Sequence, residues 1–81
     1  TNSVAEISSE VSDKSRLLVE GICAISHRMN CQVIAEGIEN AEQAHMLKSM
    51  GIDFGQGFYF ERPLSLNQLM EKYQEQRALT A

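Results

Sequence analysis

Apolar residues recur along this chain in two rhythms that take turns. Leu18, Ile22 and Ile25 stand at i, i+4 and i+7, one face of a helix. They predict a helix opened by Ser12 or Asp13 as N-cap and running to about Met29, where Asn30 suits the left-handed residue that ends it. Val33-Ile34-Ala35 then forms a short unbroken apolar run, the pattern of a buried parallel strand, so a strand is expected from Cys31 to Ala35. Asn40 with Gln43 three residues on resembles a capping box, and Ala44, Leu47 and Met50 make the stripe of a second helix that Gly51 closes. Ile52 to Gly57, I-D-F-G-Q-G, predicts a second strand; whether Phe58-Tyr59-Phe60 extends it or forms the loop above it stays open. Arg62-Pro63 breaks that segment. Ser65 with Gln68 caps a last helix whose buried face is Leu66, Leu69, Met70 and Tyr73. Residues 1–11, with sparse apolar positions at Val4, Ile7 and Val11, predict a short helix or an irregular lead-in, and residues 74–81 a frayed tail.

The expected class is therefore α/β: an αβαβα segment over residues 12–73 with two parallel strands joined by a right-handed crossover. Such a unit has a physical difficulty. Two parallel strands leave two open edges, and parallel sheets are normally larger and covered on both faces. Either the segment is a piece of a bigger α/β protein or it closes by assembling with copies of itself, so self-association of the isolated chain is expected.

Composition narrows the picture. At 81 residues the chain is one small domain with a thin core. The hydrophobic share of 43% is ordinary for a globular protein. The net charge of -4 comes with both signs mixed along the chain, and no basic face for DNA or RNA is visible. No apolar run approaches the roughly 20 residues of a membrane helix, and no signal-peptide pattern opens the chain. A cytoplasmic location is expected, any membrane anchor lying in segments upstream. The start at Thr1 rather than methionine suggests a chain trimmed from something longer. Cys23 and Cys31 make no disulfide framework and read as free thiols.

Candidate chemistry gathers at the predicted strand ends. Glu36 follows the first apolar run and precedes Gly37, at the C-terminal end of a strand, where α/β proteins place their sites. A carboxylate there can bind a divalent cation or accept a proton from water; the alternative is a solvated loop acid. Glu39 stands just before the Asn40 cap, where a helix N-terminus favours negative charge. Gln56, between Gly55 and Gly57, ends the second strand; a buried amide there needs a partner, since leaving it unsatisfied costs about 1–3 kcal/mol, and the flanking glycines would allow a ligand or backbone close by. Cys23 and His27 share a helix face but are two ligands without a third. His45 has no partner that the sequence names. Phe58, Tyr59 and Phe60 could stack on a purine, although packing is the commoner use of such residues.

The run V-I-A-E-G-I-E-N-A-E-Q, followed by G-I-D-F-G-Q-G-F-Y-F-E-R-P-L, resembles the C-terminal part of the EAL domain family, bacterial cyclic di-GMP phosphodiesterases. The family pattern is A-E-G-V-E-T-x-x-Q and then L-G-x-D-x-x-Q-G-Y-x-x-x-x-P. The segment S-R-L-L-V-E-G-I-C-A-I-S-H-R-M-N also resembles the family, so the likeness spans residues 4 to 73. It implies a modified TIM barrel of which this chain supplies the last two strands and their helices. It implies Glu36 as the glutamate that binds a second metal ion or activates the attacking water, Glu39 as a supporting glutamate, and Gln56 as a glutamine contacting the site. It implies Mg2+ or Mn2+ as cofactor of the intact domain and cyclic di-GMP as its ligand. Ile38, Asn40 and Arg62 are small departures from the pattern. The E-A-L signature, the other metal ligands, the paired aspartates and the lysine would all lie upstream. Two-metal hydrolysis needs cations held about 3.5–4 Å apart by a full ligand set, and a TIM barrel takes roughly 250 residues. Alone, the 81 residues are expected to be catalytically silent; the alternative is a non-catalytic protein- or nucleotide-binding module.

Overall fold

The computed structural model describes residues 3–57 and 61–80. Its elements are β1 (Ser3–Ser8), α1 (Asp13–Arg28), β2 (Cys31–Ile38), α2 (Ala41–Ser49), β3 (Phe54–Gly57), β4 (Leu64–Ser65) and α3 (Leu66–Thr80). The helix boundaries follow the expected caps. Ser12 and Ser15 exchange side-chain and backbone hydrogen bonds at the start of α1, Asn30 ends it at φ 58°, and Ser65 and Gln68 bond reciprocally at the start of α3. At α2, Asn40 Oδ1 accepts from Gln43 N at 2.7 Å. Gln43 Oε1, however, reaches one residue past the cap to accept from Glu39 N at 2.7 Å.

The sheet has order β1-β2-β3-β4; the first three strands are parallel and β4 runs antiparallel to β3. Crossovers between parallel strands are right-handed, so an order that advances without reversing places successive helices on one face. The core is accordingly a single cluster. Val33, Ala35 and Ile38 of β2 pack with Val19 and Cys23 of α1, Ala44 and Leu47 of α2, and Leu66, Leu69 and Tyr73 of α3. The molecule is a slab of 41 × 32 × 15 Å, the thickness of one helix layer on one sheet.

Four expectations need correction. The lead-in is a strand: β1 pairs along its whole length with Cys31–Glu36 of β2, so the parallel sheet has three strands and a short fourth, not two. Its alternation is weak because Val4 occupies the open face beside Glu6 and Ser8 while only Ala5 and Ile7 lean on the core. The face of α1 turned to the sheet is Val19, Cys23 and Ser26; Leu18 and Ile25 are 67% and 62% exposed, one residue around the helix from the predicted stripe. The strand predicted to stop at Ala35 continues to Ile38. The tail remains helical to Thr80, with Arg77 Nη2 bonded to Glu42 Oε1 at 2.6 Å across α2 and α3. The conformation of Phe58-Tyr59-Phe60, and any stacking by them, lies outside the described residues.

Candidate active site

Side chains alternate across a strand, and β2 sorts them sharply: Val33 and Ala35 are buried against the helices, while Gln32 and Glu36 are exposed on the other face. Parallel pairing aligns the rows. Ser8, Glu36 and Gln56 are register partners across β1, β2 and β3, with Glu6, Ile34 and Phe54 in the row before them. Glu36 and Gln56 thus stand side by side on neighbouring strands, on the face without helices and at the C-terminal ends of the strands. Ser8, which the sequence reading passed over, completes the row. Glu36, Ser8 and Glu39 are exposed and Gln56 is half-buried. Glu39 lies beyond the strand, at the entrance to α2.

Gly37 makes this arrangement possible. The register between β2 and β3 slips between Glu36 and Ile38, a bulge in which Gly37 adopts φ 77°, a conformation glycine takes without the penalty of a side chain. Strict alternation would put Glu36 and Ile38 on the same face. The bulge instead leaves Glu36 on the open face and returns Ile38 to the core, where it is fully buried.

The bulge is held from three directions. Ser9, 2% exposed, donates its backbone N–H to Glu36 O at 2.8 Å and its hydroxyl to Gly37 O at 2.7 Å. Tyr73 Oη donates to Ile38 O at 2.5 Å. Gln43 accepts from Glu39 N and donates from Nε2 to Ser9 O at 3.2 Å. Gly55 serves packing: a Cβ there would collide with Ile38 and Leu69 and approach Leu66 Cδ2 to 2.9 Å, so the small residue admits α3 to the sheet.

At the opposite end of the sheet, Asp53 Oδ2 accepts from Val33 N at 2.9 Å and meets His27 Nε2 at 2.7 Å, while Asp53 N donates to Val33 O. These residues tie α1 and the start of β3 to β2 at Val33, three residues before Glu36. His27 therefore serves this contact. Its helix neighbour Cys23 is buried, and burial, then Asp53 and Glu20, push its thiol up. Among the described residues no group of three or more His, Cys, Asp or Glu could hold a metal. His45 lies with Glu42, Met70 and Arg77 along a shallow groove between α2 and α3. The Arg77 guanidinium bonded to Glu42 holds that carboxyl below its usual range. No helix among the described residues is long and apolar enough to cross a membrane.

A family model described as EAL domain matches residues 5–63. The signaling protein YkoW of Bacillus subtilis (strain 168) is 43% identical over 63 residues, covering 78% of this chain and 8% of that protein. The cyclic di-GMP phosphodiesterase PdeR of Escherichia coli (strain K12) is 44% identical over 50 residues, 62% of this chain and 8% of that protein. An EAL domain protein from Listeria monocytogenes EGD-e superposes with a TM-score of 0.63 at 26% identity over 90% of this chain and 32% of that one. The EAL enzyme Bd1971, in a form with cAMP and cyclic di-GMP bound, superposes with a TM-score of 0.63 at 33% identity over 89% of this chain and 21% of that one. The chain thus spans under a tenth of these curated relatives and a third or less of these solved chains.

Proposed function

This chain belongs to the EAL domain family, and from that premise we propose that its 81 residues form the C-terminal part of a domain that hydrolyses cyclic di-GMP to the linear dinucleotide. Its sheet is the mixed, mostly parallel α/β arrangement of structures in that family, whose fold is TIM-barrel-like. The single observation that carries the reading is the row Glu36–Gln56 at the C-terminal strand ends, on the helix-free face, the place where a TIM barrel assembles its active site.

Glu36 presents hard carboxylate oxygens, the donor type that suits Mg2+ or Mn2+, and phosphodiesterases of this family generally depend on a divalent metal. Glu36 would be one ligand of such an ion, with the remaining ligands contributed by sequence outside these residues. A bound divalent cation would supply neutralisation of phosphate charge and acidification of water. In the reaction a water oxygen forms a bond to phosphorus, one phosphodiester P–O bond breaks, and the departing ribose oxygen takes up a proton. Alternatively Glu36 would accept the proton lost by the water, and the Gln56 amide would donate a hydrogen bond to a phosphate oxygen. Glu39, held beside the entrance to α2, supports the same rim.

The test is turnover of cyclic di-GMP by the full-length protein with Mg2+ or Mn2+, and its loss by about 100-fold or more in Glu36→Gln, the scale of removing a group that acts in the transition state. Nucleotide binding without turnover would instead favour a non-catalytic binding module.

A further inference from the structure

Four of the eight backbone polar groups of the E-G-I-E segment are bonded by Ser9, Gln43 and Tyr73. We propose that Ser9, Gln43 and Tyr73 are positioning residues that act through Glu36 and Glu39, a proposal that rests on the reading of Glu36 as a site residue. Glu36 O, Gly37 O, Ile38 O and Glu39 N are bonded in turn by Ser9 N, Ser9 Oγ, Tyr73 Oη and Gln43 Oε1. The three residues come from the β1–α1 connection, α2 and α3, so three elements converge on one bulge. Gln43 Nε2 also donates to Ser9 O, joining two of the three.

Function accounts for this better than packing alone. Ser9 and Tyr73 are buried polar groups at 2% and 6% exposure, and each directs its hydroxyl to a carbonyl of the bulge. The bulge is the feature that separates the exposed Glu36 from the buried Ile38. Its backbone therefore sets where the carboxylate stands relative to Gln56. Tyr73 lies outside residues 5–63 matched by the family model; its bond to Ile38 O would give α3 a part in holding the site as well as in the core. Groups that orient a metal ligand or a base from behind commonly change affinity or activity by about 10–100-fold when removed.

The test uses the full-length protein carrying Ser9→Ala, Gln43→Ala or Tyr73→Phe. Expected is a fall in kcat of about 10-fold or more with KM for cyclic di-GMP within about twofold, and a raised Mn2+ concentration for half-activation. Gln43→Glu, which keeps an acceptor for Glu39 N, should recover part of the loss. A second measurement does not depend on turnover. In Gln43→Ala the Glu39 amide should exchange with deuterium about 10-fold faster while the amide of Leu47, in the core helix, does not. Folded variants with unchanged kcat and Mn2+ requirement, or unchanged Glu39 exchange, would overturn the proposal. If the unsubstituted protein shows no turnover, the functional reading fails, and the exchange measurement alone decides whether these residues hold the loop.

Discussion

Gly37 and Gly55 do opposite jobs, and their substitution should separate them. Gly37 is in the left-handed region at φ 77° with only Ser9 Oγ, at 3.4 Å, near a would-be Cβ. Gly37→Ala should therefore cost about 1–2 kcal/mol, almost all of it backbone strain. Gly55 has an ordinary φ but no room, so Gly55→Ala should cost about 1–3 kcal/mol through overpacking against α3. Urea midpoints give both values, and an additional loss of Tyr73 burial should accompany Gly55→Ala alone. A third expectation concerns Glu42. Its folded-state carboxyl is held low by Arg77, so the α2–α3 tie is fully present above the usual glutamate range and lost as pH falls through the lowered value. Arg77→Ala should raise the Glu42 carboxyl titration toward the ordinary glutamate range, measured by NMR.

Among the elements, α1 tests how far periodicity can be trusted. Leu18→Gln should change stability by no more than about 0.5 kcal/mol, as for exposed positions. Leu47→Ala, at a fully buried site on α2, should cost about 2–5 kcal/mol; thermal unfolding compares the two. The caps were legible in the sequence because Ser12, Asn30, Asn40, Gly51 and Ser65 act on backbone within a few residues of themselves. The strands bearing Glu36 and Gln56 were legible from their apolar runs, but the bulge at Gly37 that carries β2 on to Ile38 was not. The sheet-facing side of α1 was not, since Leu18, Ile22 and Ile25 and the true face Val19, Cys23 and Ser26 differ by a rotation of one residue, and serine and cysteine weaken the apolar signal. β1 escaped notice because its stability comes from β2, more than twenty residues away. The Ser9–Gln43–Tyr73 bonds span 28 to 35 residues in sequence, and only the quoted glutamine of the family pattern hinted at one of them.

At the scale of the molecule, the polar row on the open face and the exposed Leu17, Leu18, Ile25 and Met29 describe a layer that has only one side finished. A protein whose sheet is covered on one face and open on the other leaves both apolar helix surface and strand backbone to water. The isolated 81-residue chain should therefore self-associate, with light scattering giving a mass above 9.1 kDa; a monodisperse monomer would refute this. The same chain should not turn over cyclic di-GMP in Mg2+ or Mn2+, because Glu36 and Gln56 alone cannot hold two cations.

The antiparallel return of Leu64 and Ser65 alongside Phe54 and Gly55 gives the sheet unequal margins. Among the described residues one border is the two-residue β4, and the other is the six-residue β1, with its outer row of amides and carbonyls turned outward. Lateral growth then has one long port and one short one. Two isolated chains pairing along β1 would use the longer border of each, so strand addition there favours a closed pair over a fibre.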